Sequence, residues 1–222
     1  MLDLAEICEI RVPAHKVVRV AGKDVLLVER FDRTIVEGRV FKHRAASAAT
    51  VFRADEEYAR TNFTGSYMRL SRELARWGLD IRRDRKELYR RMAFNCLTGV
   101  TDDHERNHAL VATGDHFRLA PAFDLAPSKP ATRARRQALA IGAAGAEATR
   151  ANLLSAVDQF ELTAREAEDV IDDVKARVDS RWRESFIGQG VADRDMILLS
   201  KCLDHEYFES KGPAGGASRA GF

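Results

Sequence analysis

One stretch of the sequence, from Asp102 to Asp124, carries oxygen-bearing side chains at a spacing that could handle phosphate groups. Asn107 stands just before a predicted hairpin over residues 108–119, and Asp124 lies a few residues beyond its second strand. The open ends of an antiparallel hairpin lie side by side, about 5 Å apart between opposite backbones, so we expect Asn107 and Asp124 to be close together. Amide and carboxylate oxygens suit a hard ion such as Mg²⁺, which needs few protein ligands when phosphates supply the others. The sequence therefore predicts a magnesium site at the open end of this hairpin.

A further carboxylate precedes this site. Asp102 lies five residues before Asn107, on the loop that leads into the hairpin, where it could orient an attacking hydroxyl and accept its proton. Asp-x-x-x-x-Asn, then a hairpin, then another Asp is the layout of the protein-kinase catalytic centre. Asp and Asn are also common turn residues, so each position taken alone is better explained by a turn. The combination with the hairpin is the more specific signal.

The elements that must position these residues are mostly helices. Ser66 and Gly78 bound one predicted helix, Asp84 with Glu87 resembles a capping box for a second, and Gly99 ends the latter. Another capping box, Thr163 with Glu166, begins a long predicted helix. Its apolar stripe is Ala167, Val170, Ile171, Val174, Val178 and Trp182. One more short helix is predicted from Met196 to Leu203. Residues 17–31 predict a hairpin with a turn at Ala21 to Asp24. We expect a mainly α fold with short β-hairpins.

Composition narrows the class of protein. The chain has 222 residues, 45% hydrophobic and 32% charged, which is globular and excludes collagen-like, low-complexity and broadly disordered chains. The net charge of +2 gives no general argument for direct nucleic-acid binding. Three widely spaced cysteines form no disulfide framework, which predicts a reducing, cytoplasmic compartment. No apolar run approaches the roughly 20 residues of a membrane helix, so no membrane partner is expected.

Two segments carry a resemblance to a known family. Phe94 to His108 with Leu119 to Asp124, and Leu27 to Arg33 (LVERFDR), resemble the catalytic segment and hinge strand of the HipA-like serine/threonine kinases, the toxins of bacterial toxin–antitoxin modules. Residues 138–187 resemble that family's C-terminal helices. The resemblance implies a protein-kinase-like C-terminal lobe, Mg²⁺ and ATP as cofactors, a protein substrate, and a DNA-binding antitoxin as partner.

The same resemblance implies roles for six residues. Asp102 would be the catalytic base, and Asn107 and Asp124 would be metal ligands. His104 would lie near the nucleotide phosphates. The hinge residues that would contact adenine are Glu29 and Phe31.

The sequence departs from this family before the hinge. A kinase needs a Gly-rich loop over the phosphates and a lysine paired with a helix glutamate, yet the 28 residues before Glu29 contain a single glycine, Gly22, in the hairpin turn. We therefore expect residues 1–33 to be the remnant of an N-terminal lobe that is largely missing, 34–210 a helical kinase-like C-terminal lobe, and 211–222 a disordered tail. The chain could be truncated, could receive a separate N-lobe chain, or could be an inactive relic; an exposed hairpin favours the first two.

Two other functions stay open. A non-catalytic kinase remnant could bind an antitoxin or a separate N-lobe chain. A metal-dependent phosphohydrolase could use Asp102, Asp103, His104, His108 and Asp124, although two-metal hydrolases need more shared ligands than the helices supply. Two basic runs, residues 82–91 and 129–136, favour solvated surfaces; the second could instead dock an acidic substrate.

Overall fold

The structure, a computed structural model, describes residues 1–52, 65–129, 132 and 134–210. Its described part is mainly helical with small antiparallel sheets, which confirms the predicted class at that level. The helices are α1 (Leu2–Ile7), α2 (Ala48–Val51), α3 (Tyr67–Trp77), α4 (Ile81–Thr98), α5 (Arg150–Leu154), α6 (Ala164–Gly188) and α7 (Asp193–Cys202). The strands are β1 (His15–Val20), β2 (Lys23–Val28), β3 (Arg33–Val36), β4 (Arg39–Lys42), β5 (Ala45–Ser47), β6 (Ala109–Thr113) and β7 (His116–Leu119).

The core forms around the two longest helices. Helix α6 packs against α4. Helix α1 packs against α6, and helix α3 packs against α4. The apolar stripe that the sequence predicted on α6 is buried in full: Ala167, Val170, Ile171, Val174, Val178 and Trp182. Burial of such side chains supplies most of the stability of helices this size, at about 1.5–3 kcal/mol for each large one.

Most predicted helix ends are confirmed. The Ser66 hydroxyl accepts from the Arg69 N–H, and Thr163 and Glu166 form the reciprocal capping box. Gly99 ends α4 in the left-handed region, at φ 71°, where a Cβ would be strained. Residues 1–52, 65–129, 132 and 134–210 include no helix both long and apolar enough to cross a bilayer.

The predicted capping box at Asp84 is wrong. Helix α4 begins one turn earlier, and Asp80 caps it by accepting from the Arg83 N–H. Asp84 lies inside the first turn and is fully buried, because its carboxylate binds Arg118 and the Leu119 N–H. Because the Asp84 carboxylate binds these distant partners, it does not cap the helix.

Three small sheets accompany the helices in the described residues. Strands β5, β6 and β7 form an antiparallel sheet in that order, and β6–β7 is the hairpin predicted over residues 108–119. The hairpin predicted over residues 17–31 is β1–β2, which begins two residues earlier, at His15, and ends at Val28. A third hairpin, β3–β4, was not predicted; it turns through Glu37 and Gly38, both with positive φ. The proposed tail, 211–222, lies outside the described residues.

Candidate active site

The β6–β7 hairpin determines where Asn107 and Asp124 lie. Leu110 pairs with Leu119, and the Ala120 N–H donates to the Ala109 carbonyl at 2.8 Å, so the pairing continues to the open end of the hairpin. Asn107 lies two residues before that last pair and is buried. Asp124 lies four residues after it and is exposed, with φ 58°. Both residues thus flank the same end of the hairpin.

The Asn107 side chain is fixed by the loop before it. Its Nδ2 donates to the Asp102 backbone carbonyl at 3.1 Å, and its backbone N–H donates to the His104 carbonyl at 2.9 Å. This orientation leaves the Asn107 amide oxygen, an acceptor, for a ligand. The Asp102 carboxylate is exposed and has no hydrogen-bond or ion-pair partner in the part of the chain that the structure describes.

His104 precedes the short 3-10 turn that contains Asn107. Its backbone N–H donates to the Asp102 carbonyl at 3.1 Å. Its ring Nδ1 is buried and meets no partner among the described residues. His104 therefore joins Asp102 and Asn107 in one tight turn.

A cleft of about 470 Å³ lies beside this turn. Its walls come from the end of β2, from β5, and from the chain on both sides of the β6–β7 hairpin; they are Pro13, Val28, Glu29, Arg30, Phe31, Asp32, Ala45, Ala46, Ser47, Ala109 and Phe123. Phe31 stacks on Phe123, with ring centroids 5.5 Å apart. Since Phe123 adjoins Asp124, the stacked pair brings the hinge segment next to the candidate metal ligand.

The wall of the cleft at residues 29–31 offers one backbone hydrogen-bond acceptor and one backbone donor. The Glu29 N–H donates to the Ala14 carbonyl at 2.8 Å, so of its two backbone groups only the Glu29 carbonyl is left for a ligand. The Phe31 N–H meets no acceptor within the described ranges. One acceptor and one donor on an aromatic-lined wall can recognise a flat heterocycle with a donor–acceptor edge.

The donor set fits a hard cation. Asn107 and Asp124 provide an amide and a carboxylate oxygen, and both belong to the type of ligand that Mg²⁺ prefers. Residues 1–52, 65–129, 132 and 134–210 hold no group of three or more His, Cys, Asp or Glu that could bind a metal. A metal at this edge would thus take its remaining ligands from phosphate and water.

The structure adds a buried layer that the sequence did not reveal. Asp103 is buried and contacts His108, with Oδ1 and Nε2 3.0 Å apart, while the Tyr67 hydroxyl donates to its other oxygen. The Asn95 amide donates to the Tyr67 hydroxyl at 3.0 Å. Burial alone would raise the pKa of Asp103, but His108, Tyr67 and Asn95 together lower it below the ordinary value. Asp103 is therefore a charged support beneath the loop.

This layer removes two ligands from the phosphohydrolase set. Asp103 and His108 contact each other in the interior, and the second Asp103 oxygen is held by Tyr67. Of that set, only Asp102, His104 and Asp124 lie outside this buried pair. The pairing argues against a two-metal site built on these five residues.

The two basic runs are largely structural. Four arginines of the first run bind acidic side chains on other turns or elements: Arg82 with Glu166, Arg85 with Glu161, Arg90 with Asp173 and Arg91 with Glu87. In the second run, Arg135 is buried and donates to the carbonyls of Cys202 and Lys201 at the end of α7, and Arg136 binds Glu147. The solvated-surface interpretation is wrong for Arg85, Arg90, Arg91 and Arg135, whose side chains are largely buried. It holds for Arg82 and Arg136, which are exposed although each has an acidic partner.

Comparisons with known proteins agree with this picture. A family model described as the HipA-like C-terminal domain matches residues 1–182. A solved structure from Shewanella oneidensis MR-1, a toxin–antitoxin system of HipA, HipB and its operator DNA, is similar with a TM-score of 0.73 and 19% identity. The similarity covers 90% of this chain and 53% of that one, so the chain spans about half the length of the structure it resembles.

The search of curated proteins gave no match. Because the family model covers most of the sequence, including both flanks of the cleft and the turn at Asp102 to Asn107, the assignment does not rest on the solved structure alone. The chain belongs to the HipA-like C-terminal domain family.

Proposed function

We propose that the chain carries the catalytic part of a serine/threonine kinase and transfers the γ-phosphoryl group of ATP to a protein hydroxyl. The observation that carries the proposal is the arrangement around the cleft. Phe31 of the hinge stacks on Phe123, the residue before Asp124, and Ala109, two residues after Asn107, lines the same cleft. A nucleotide base at the hinge would therefore have its phosphates directed toward the turn that carries Asp102.

At the hinge, adenine is the base that this proposal assigns. Its amino group would donate to the Glu29 carbonyl, and a ring nitrogen would accept from the Phe31 N–H. The Phe31 and Phe123 rings, 5.5 Å apart, would supply an apolar wall. His104, at the start of the turn, would face the phosphates with its unpartnered Nδ1.

The reaction would use the chain's own oxygens in two ways. Asp102 would orient the acceptor hydroxyl and take its proton as the hydroxyl oxygen bonds to the γ-phosphorus and the β–γ bridging oxygen leaves. Asn107 and Asp124 would hold Mg²⁺, which neutralises phosphate charge when bound. The Asn107 amide is held in place for this by its donation to the Asp102 carbonyl.

A Gly-rich phosphate-binding loop and its paired lysine are not found among the described residues. Lys16 and Lys23, on β1 and at the start of β2, are exposed and belong to the hairpin instead of a phosphate-binding loop. The proposal therefore requires a phosphate-binding loop and lysine from another segment or another chain. The first question to test is whether the chain binds Mg-ATP without a second chain.

The first experiment is thermal unfolding of the chain with and without Mg-ATP, using Asp124→Ala as the control. A ligand at a hundredfold its dissociation constant adds about 2.7 kcal/mol of stability. We expect the wild type to gain stability with Mg-ATP and Asp124→Ala to gain clearly less. A cooperative transition that ignores Mg-ATP would contradict the proposal for this chain on its own.

A second candidate function is a non-catalytic module that binds an antitoxin or a separate N-lobe chain. The observation in its favour is the β1–β2 ribbon, whose large apolar side chains are exposed on both faces: Val17, Val20, Val25, Leu26, Leu27 and Val28. Two-stranded ribbons are marginal alone, and strands apolar on both faces are typical of covered sheets. Activity that returns on addition of a second chain would indicate a split kinase; binding without activity would indicate a remnant.

A further inference from the structure

Arg11, on the segment between α1 and β1, makes an unusual set of contacts for a loop residue. Its Nε binds the Glu87 carboxylate, and its Nη2 donates to Asp84 at 3.2 Å and to the Leu119 carbonyl at 2.9 Å. Its backbone carbonyl accepts from the Ala122 N–H at 2.7 Å. Side chain and backbone of one residue thus hold the chain between β7 and Asp124 at two points.

The acidic partners of Arg11 belong to a buried ionic cluster. Asp84 is fully buried and receives two hydrogen bonds from Arg118, at 2.8 and 2.9 Å. Glu87 also binds Arg91, which donates to the Ala120 carbonyl at 2.8 Å. Three arginines and two buried carboxylates therefore surround the backbone of residues 118–122, whose carbonyl oxygens accept from Arg11 and Arg91. A third carboxylate, that of the partly exposed Asp80, lies 4.0 Å from Arg118.

The other end of the same segment supports the hinge. Pro13 lines the cleft, and the Ala14 carbonyl accepts from the Glu29 N–H at 2.8 Å. Only two residues, Val12 and Pro13, separate Ala14 from Arg11, and Val12 packs against the core. A shift of Arg11 would therefore move the support of Glu29 as well as that of Ala122.

We propose that Arg11 is a positioning residue that couples the two ends of the cleft, so that the hinge at Glu29 and the segment before Asp124 are ordered together. Naming these as the adenine end and the metal end rests on the proposed function. The mechanical coupling itself concerns only this chain's own residues. Lysine could not reach all three acceptors of the Arg11 guanidinium in the same geometry, because its donors lie on a single nitrogen and it lacks the planar fork.

Amide hydrogen exchange tests the coupling without any ligand. In Arg11→Lys we expect exchange at the Ala122 and Glu29 amides to accelerate together, by about tenfold or more, as the local opening free energy falls. The matched control is Arg177→Lys. Arg177 also ties the N-terminal segment to a helix, through the Ile7 carbonyl, Asp173 and Glu9, and its side chain is 35% exposed against 34% for Arg11, but it lies away from the cleft.

The outcomes separate the alternatives. Acceleration at Ala122 alone, no acceleration at either amide, or the same acceleration in Arg177→Lys would overturn the coupling. If Arg11→Lys does not fold cooperatively, Glu87→Gln replaces it, since that change removes the charge bound to Arg11 Nε and should accelerate the same two amides. A wild type that shows no Mg-ATP stabilisation would count against the proposed function, while the exchange result would still decide the coupling.

Discussion

Asp102 and Asp103 are neighbours in the chain, yet they lie in two different regions of the molecule. Asp102 is exposed on the turn that precedes Asn107, and its carboxylate has no partner in the described ranges. Asp103 is 2% exposed, and its two oxygens are held by His108 and Tyr67. The same side chain is therefore free for a ligand at one position and fully engaged at the next.

The contrast extends beyond these two residues. The exposed edge at the open end of the β6–β7 hairpin includes Asp102 and Asp124, which the protein itself leaves unpaired within the described residues. Beneath it lies a buried layer in which Asp84, Glu87 and Asp103 each bind cations or hydroxyls. Because a buried charge is costly unless it is paired, the lower layer can be read as support, while the unpaired oxygens above are available for chemistry.

The largest expected effect comes from Asp102→Asn. The change keeps the shape of the side chain but removes the base, so phosphoryl transfer from radiolabelled ATP to protein should fall by about 10²–10⁴-fold in any preparation in which the wild type is active. The free energy of unfolding should stay within about 0.5 kcal/mol, because the carboxylate makes no contact that the change would lose. Transfer at the wild-type rate would exclude Asp102 as the base.

The next expected effect is on stability, in Asp103→Ala. This change leaves the Tyr67 hydroxyl and His108 buried without their shared partner, which should cost about 3 kcal/mol in a urea titration. Asp102→Ala is the matched control, with an expected change of about 0.5 kcal/mol or less. Equal losses at the two positions would mean that the division between exposed edge and buried layer does not hold.

Local patterns in the sequence were sufficient for much of the fold. The caps at Ser66 and Thr163 and the stop at Gly99 bind their own helix ends, so nearby residues decide them. The β1–β2 and β6–β7 hairpins follow from alternating runs around short turns. The β3–β4 hairpin also left a signal in the sequence: Glu37-Gly38, in the positions of a primed turn, stands between the β-branched run Thr34 to Val36 and Val40-Phe41.

What the sequence could not indicate depends on partners far along the chain. Asp84 looked like a capping residue because its partners, Arg11 and Arg118, are 73 and 34 residues away. Nothing in the Thr101-Asp102-Asp103-His104 run distinguishes the exposed aspartate from the buried one, since His108 and Tyr67 decide it. The roles at Asp102, Asn107 and Asp124 came from spacing and resemblance and stay predictions until a ligand is bound.

A smaller effect is expected at acid pH. Burial opposes ionisation of Asp103, yet its partners lower its pKa in the folded state. A carboxyl with a lowered pKa contributes stability that is complete above the unfolded value, about 3.9, and is lost as the pH falls toward the folded value. Urea titrations between pH 6 and roughly pH 3 should therefore show stability falling at the acid end. Asp103→Asn should show a shallower fall; an unchanged slope would assign the acid sensitivity to other carboxylates.

The smallest effect on stability is expected at the exposed edge, in Asp124→Gly. Asp124 has φ 58°, a left-handed conformation that costs a residue with a Cβ, whereas glycine adopts it freely but loses more entropy on folding. The relief of backbone strain and the larger entropy loss nearly cancel, so the free energy of unfolding should equal that of the wild type or exceed it by up to about 0.5 kcal/mol.

Glu37→Gly is the matched control, because Glu37 has φ 50° in the exposed β3–β4 turn. Both variants should unfold at or slightly above the wild-type temperature, but only Asp124→Gly should lose the stabilisation by Mg-ATP. Loss of that response in both variants would mean that the backbone conformation of exposed turns, and not the Asp124 carboxylate, governs binding.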